Sequence, residues 1–399
     1  MPFTLETLEK SVLQGEPDWL RERRQSALAT YERLPMPSKT DEEWRRTDVS
    51  GFNPAEFSTL EHQNGLKLER PSGLPPGVIL EPLRVAAKEH PDLVEPRLFA
   101  LLRAGRDRFA ALHAAFFTGG TFLYVPDGVE IDEPILGQHF SHEGNNSVLP
   151  HTLIVAGRGA RFNYLDEYIA EDDAEAGYRS GSTEIFAGEG SQVGYVAVQK
   201  WGRHVWHFAD QRAEVQKDAA VKMFNVTLGG RFSKNRVEAS LVGQGAEAEL
   251  KAIYFASGEQ FFDFHTLQDH QVGNTRSDLL FKGALQDTAR TVYAGLIKIE
   301  KHAARSDAYQ ANRNLVLSDE AMATSIPMLE IDNNDVRCTH GATVGPVDPD
   351  HMFYLRSRGI PEQTAKRMLI QGFFGAVLER IPFEQARNLV EAELESRIG

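Results

Sequence analysis

The only cysteine of this 399-residue chain lies in DVRCTHGATVGP, Asp335 to Pro346, two residues before a histidine. If the surrounding EIDNNDVRCTH runs as a strand, Cys338 and His340 share one face, roughly 6 to 7 Å apart along it. A thiolate and an imidazole can then converge on one ion. A zinc or iron–sulfur site usually takes four protein ligands, and this chain has no second cysteine to complete a thiolate set. A metal or cluster held there would borrow ligands from another chain or bind transiently. On spacing alone the plainer reading leads, a buried thiol beside a turn histidine, because C-x-H is short and common.

A second polar cluster is FFDFHTLQDHQ. As a strand it points Phe262 and Phe264 inward and sets Asp263 and His265 on the outer face, with Asp269 and His270 just beyond. Such a set could hold a divalent metal or supply an acid/base pair. The simpler expectation is a solvated outer face. A lyase or glycosidase groove would need paired carboxylates or an Asp/Arg/Lys set, for which Asp263, Asp278 and Lys282 are the candidates, although nothing in the sequence fixes them together. The chain carries no G-x-x-x-x-G-K-[ST], no G-x-G-x-x-G between strand and helix, no H-E-x-x-H and no G-x-S-x-G. That shifts weight toward a structural or binding role.

The elements that must position these residues change along the chain. In PDWLRERRQSALATYERLP, Leu20, Ala27, Leu28, Tyr31 and Leu34 fall near one helical face, Asp18 sits in the first turn and Pro35 stops the helix. The Pro/Gly/Ser-rich RPSGLPPGV, Arg70 to Val78, reads as a linker, and PRLFALLRAGRDRFAALHAAFF restores the helical period after it. From about Thr121 to Val347 short alternating runs recur. AEAELKAIY places Ala246, Ala248, Leu250 and Ala252 on one face, and ARFNYLDEY does the same with Ala160, Phe162 and Tyr164.

The turns before these runs are alike: VAGRGARF at Val155, FAGEGSQV at Phe186, a degenerate VQKDAAVK at Val215 and LVGQGAEA at Leu241, starting 31, 29 and 26 residues apart. That spacing predicts one coil of a stacked β-solenoid per unit. An antiparallel sandwich would show similar alternation and stays open. The division expected is a helical region over 1–118 with a linker near 70–80, a β core over 119–347 and a helical region over 348–399. In that last region Gly359 serves as a C′ glycine and Pro361 opens a helix with a stripe of Ala365, Met368, Leu369, Phe373, Ala376 and Val377. A final helix follows Pro382. The stripe suits equally a cap on the chain's own last coil and a partner-binding helix pair.

The balance of 43 basic against 57 acidic residues, a formal charge of -14, opposes binding to nucleic acid or anionic lipid. The opening MPFTLETLEKSVLQG is too polar for a secretory signal, and no apolar run approaches a membrane span of roughly 20 residues. The expectation is a soluble, cytoplasmic protein with no nucleic-acid or membrane partner.

The run SDAYQANRNLVLSDEAMATSIPMLEIDNNDVRCTHGATVGPVDPDHMFYLRSRGI closely resembles the C-terminal part of the SufB/SufD family, scaffold proteins of the Suf iron–sulfur cluster assembly system. FHTLQDHQVGNTRSDLLFKGALQDTARTVYAGLIKI is similar to the segment before it, so the match covers about 265 to 360. DEEWRRTDV resembles an element found ahead of the core. With 399 residues and one cysteine the chain is similar to the shorter, cysteine-poor branch of the family. The resemblance implies a right-handed parallel β-helix flanked by N- and C-terminal helices. It implies a non-catalytic scaffold that pairs with the paralogue SufB, or with itself, and binds the ABC-type ATPase SufC, whose dimerisation on ATP reshapes the interface. A transient Fe–S cluster would form there, its sulfur delivered through SufB, with reduced flavin (FADH2) an associated cofactor of the complex.

By position in the matching motif, His340 corresponds to the histidine at that interface and Cys338 to the neighbouring cysteine, a partial metal site completed by the partner chain. The C-terminal helices correspond to the region that docks SufC, with Met368, Leu369, Phe373, Phe374 and Val377 as docking side chains. A solenoid carbohydrate lyase or hydrolase and a generic interaction solenoid are the rival readings.

Overall fold

The computed structural model describes residues 3–12, 15–59, 65–141, 146–170 and 176–398. Among the described residues two sheets run along a β-solenoid, one with 11 strands and one with nine, and from His151 onward successive strands alternate between them. We call the sheet ending in Met322–Ile331 sheet A and the sheet ending in Arg337–Pro346 sheet B. From Thr121 onward neighbouring strands pair in parallel, so the sandwich alternative is excluded. Alternation sorts the side chains as the sequence predicts. Ala246, Ala248, Leu250 and Ala252 join Phe162, Tyr164, Phe262 and Phe264 in the core between the sheets.

The recurring turn explains the period. In each unit the left-handed position is Gly159 (φ 66), Gly190 (φ 69), Asp218 (φ 56), Gly245 (φ 76) or Asn274 (φ 59). Asp and Asn tolerate that conformation better than other non-glycine residues, which is why the degenerate VQKDAAVK still makes the turn. The turns stack by backbone hydrogen bonds, Gly159 N–H to Glu189 O at 2.8 Å, Gly190 to Lys217 O at 2.8 Å and Asp218 to Gln244 O at 2.9 Å. The first glycine of each pair permits that stacking, since a Cβ on Gly243 would lie 2.0 Å from Lys217 N.

Two helices of the N-terminal region, Asp18–Arg33 and Arg108–Phe116, form a layer over the outer face of sheet A. The first stops at Leu34, held extended ahead of Pro35. It buries Arg24 beside Leu20, Ala27, Leu28 and Tyr31; the guanidinium meets Glu16 Oε2 at 2.9 Å and donates to Ala115 O at 2.9 Å. The expected helix from Pro96 is confined to Arg108–Phe116. Before it, the backbone N–H groups of Phe99, Leu101 and Leu102 donate to the Glu184 carboxylate at 2.6 to 3.1 Å rather than entering a helix.

The first third is also not wholly helical. Gly65–Glu69 pairs antiparallel with Ile135–Ser141, and Ile79–Pro82 with Thr121–Val125, so Arg70 to Val78 connects two strands that close the solenoid's first end. At the other end, Pro349–Ser357 stops at Gly359 (φ 83) as expected. Glu362–Leu378 and Glu384–Ile398 then fold back over the outer face of sheet B.

Candidate functional site

Both outer faces are covered along most of the solenoid, and the last coil is not. Met322–Ile331 pairs only with Arg290–Ile299, and Arg337–Pro346 only with Asp307–Val316, so each sheet ends on a strand with one free edge. Apolar side chains stand open on these strands: Met322 is 56% exposed, Val344 48%, Leu329 40% and Ile331 38%. A long exposed edge with apolar side chains is a template for pairing with another chain, which proteins otherwise blunt or cover.

Cys338 and His340 lie on the final strand of sheet B, as the alternation requires, in register with Ala308 and Gln310. Cys338 packs half-buried against Ile297, Ile299, Ala303 and Ala308, so its face is the interior one. Burial pushes its thiol up, so an ion binding there would have to displace the proton. His340 is exposed and makes no hydrogen bond or ion pair among the described residues. Among those residues no third His, Cys, Asp or Glu joins the two in a set close enough to hold an ion. The set that is close enough is Glu81, Glu89 and His90, in the N-terminal region. Cys338 and His340 therefore stand as a pair, with no third candidate ligand beside them among the described residues, at the open end of sheet B.

The other candidates resolve differently. Asp263 is on the outer face of sheet A as expected, but it is fully buried beneath the N-terminal segment rather than solvated. It accepts from Thr47 Oγ1 at 2.5 Å and Lys234 Nζ at 2.7 Å, and lies 3.0 Å from His265 Nε2. Burial alone would raise its pKa, yet Lys234 and then His265 outweigh that and hold the carboxyl well below the usual range. Nearby, Arg236 pairs with Glu43, Asp107 and Asp210, and Lys234 lies 4.5 Å from the Trp44 ring centre. DEEWRRTDV is thus the segment that covers this patch. His270 faces the interior instead, bonded to Thr275 and Ser277 Oγ at 2.7 Å each, while Asp269 meets Gln271.

Asp278 and Lys282 belong to sheet B, on the opposite side of the solenoid from Asp263, so the lyase-type set is not assembled. Asp278 pairs with Lys251 at 2.6 Å, and Lys282 donates to Phe373 O at 2.5 Å.

The C-terminal stripe is shifted from the expected one. Ile370, Phe374 and Val377 are buried against Val196, Val198, Phe224, Ile253 and Phe255 of sheet B, and Ala365 is buried as well. Of the five docking candidates, Phe374 and Val377 are therefore consumed within the chain, Leu369 and Phe373 are half-buried, and Met368 is 44% exposed. The preceding helix presents Phe353 at 74% and Tyr354 at 56%, neither of them among the docking candidates of the sequence.

The chain is thus a parallel β-solenoid with a covered flank on each sheet and one uncovered end that carries Cys338 and His340. Comparison with known proteins agrees. Residues 139–373 match the model described as "SUF system FeS cluster assembly, SufBD core domain" and residues 61–136 that of the SufBD protein N-terminal region. The chain belongs to the SufBD family of iron–sulfur cluster assembly proteins. It is 29% identical to the iron-sulfur cluster assembly protein SufD of Bacillus subtilis (strain 168), over 96% of this chain and 95% of that protein. It is 26% identical to SufBD family proteins of Staphylococcus epidermidis (strain ATCC 12228) and Staphylococcus haemolyticus, over 98% of this chain and 92% of each relative. No helix among the described residues is long and apolar enough to cross a membrane.

Proposed function

We propose that this chain is a SufD-type, non-catalytic scaffold subunit whose open solenoid end pairs with a SufB paralogue, so that a nascent Fe–S cluster forms between them as cargo. The observation that carries the reading is the last coil: two free strand edges, exposed Leu329, Ile331 and Val344, and a Cys338/His340 pair too small to hold an ion alone. A paralogue with the same fold would continue both sheets, cover the apolar end and add the missing ligands. His340 acts as interface ligand or proton acceptor. Cys338, protonated in the free chain, is auxiliary.

The ATPase SufC docks on the C-terminal helices. The burial of Phe374 and Val377 narrows its surface to the flank carrying Phe353, Tyr354 and Met368. ATP-driven pairing of two such subunits would strain the solenoid junction through these helices. Electrons from FADH2 enter at the level of the complex. The Gly-x-Gly turns of this chain lead from strand to strand, as from Ala156 to Arg161, and not onto a helix N-terminus, so these turns form no dinucleotide-phosphate cradle.

The test is co-expression with SufB and SufC followed by anaerobic reconstitution. His340→Ala should assemble normally and show no iron–sulfur absorption band. A normal band would refute the reading, and a generic interaction solenoid would give that result.

A further inference from the structure

Gln310 is the ladder neighbour of His340, paired with it in register on the adjacent strand of sheet B. Both occupy interior-facing positions, in line with Ala308 and Cys338 two residues earlier. Gln310 is fully buried, and its Nε2 donates across the interior to Gly295 O on sheet A at 3.1 Å. A carbonyl only accepts, so this contact fixes the amide with nitrogen toward Gly295 and Oε1 turned away. Gly295 makes the reach possible, because a Cβ there would stand 2.6 Å from Gln310 Nε2. Oε1 is then left buried with no hydrogen-bond partner among the described residues, an arrangement that costs free energy unless a donor arrives.

We infer that Gln310 is the positioning residue for His340. When a partner covers the open end, the imidazole turns inward and donates one ring N–H to Gln310 Oε1. That bond fixes the tautomer and aims the other ring nitrogen at the interface. Adjacent strands are about 4.8 Å apart, so an anchored glutamine and an imidazole in one column are within reach. A ligating histidine commonly has its second N–H held by a carbonyl in this way. Cys338 is the one other titratable side chain on the interior-facing positions of the two terminal strands. The inference rests on the reading of His340 as an interface ligand.

The test uses the assembled complex with [15N]histidine in this chain alone, the His340 signals being assigned with His340→Gln. Wild type should show one tautomer, and Gln310→Glu, which keeps an acceptor, should show the same one. Gln310→Met, which keeps the length and loses the acceptor, should show a mixture and bind the cluster about 10-fold more weakly. If Gln310→Met does not assemble, Gln310→Leu serves the same comparison. Identical tautomer populations in wild type and the acceptor-free variant overturn the inference, since a merely structural Gln310 would not move them. If His340→Ala loses the cluster while the tautomers are unchanged, the proposed function stands and this inference falls. A normal cluster in His340→Ala removes the reading itself, and Gln310's role with it.

Discussion

At the scale of single residues, Asp263 and His340 show how two similar-looking polar positions come to opposite ends. Strand alternation placed Asp263 correctly on the outer face and Cys338 with His340 on one face. What alternation cannot give is which faces are covered, because the cover comes from Thr47 on Asp263 and Trp44 on its partner Lys234, about two hundred residues earlier in the chain. Asp263 therefore reads as a structural ion: Asp263→Asn should leave Lys234 buried with its main partner neutral, destabilise the chain by about 3 to 5 kcal/mol in denaturant unfolding, and leave cluster assembly by the surviving folded protein intact. Loss of cluster formation at unchanged stability would mean that the buried network acts on the chemistry instead. That this chain offers a single thiolate was legible from the cysteine count alone. Gln310 was not, since its unfilled acceptor depends on the contact with Gly295 across two sheets.

At the scale of elements, the solenoid strands and their turns follow from local pattern, and the helices from pattern plus their neighbours. The repeat was readable even through VQKDAAVK because Asp218 meets the same backbone demand as glycine. The helix expected from Pro96 failed because Glu184 captures three backbone donors, a long-range contact that no periodicity reveals. The long C-terminal helix was placed correctly, but its buried stripe is set by sheet B and passes through Ile370 and Phe374 rather than Met368 and Leu369. Two substitutions separate the faces. Phe374→Ala should lower stability by about 3 to 5 kcal/mol, the usual cost of emptying a buried aromatic site. Met368→Glu should change stability by less than about 0.5 kcal/mol yet weaken capture of the ATPase in a pull-down. Undiminished capture by a Met368→Glu, Phe353→Glu double variant would move the docking surface elsewhere.

At the scale of the whole molecule, buried histidines tie stability to pH. Burial pushes His270 down to about 4, and burial with a lesser push from Arg179 takes His207 down to about 3, from an ordinary 6.5. The unfolded chain takes up these protons below about pH 6.5 and the folded chain does not, so the stability they confer is present above that pH and lost as it falls toward 4. The thermal midpoint should drop over this window, and the drop should be shallower in His270→Gln. A flat profile from 6.5 to 4 would show that these imidazoles take up protons as readily in the fold as in the unfolded chain. The last coil stands apart: one end of the solenoid is closed by antiparallel strands, both flanks carry helices, and the end bearing His340 is bare. Hydrogen exchange of this chain, alone and with the SufB paralogue, tests that claim most directly. Amides of Met322–Ile331 and Arg337–Pro346 should become protected on adding the paralogue, whereas unchanged exchange there, with protection appearing elsewhere on the chain, would contradict it.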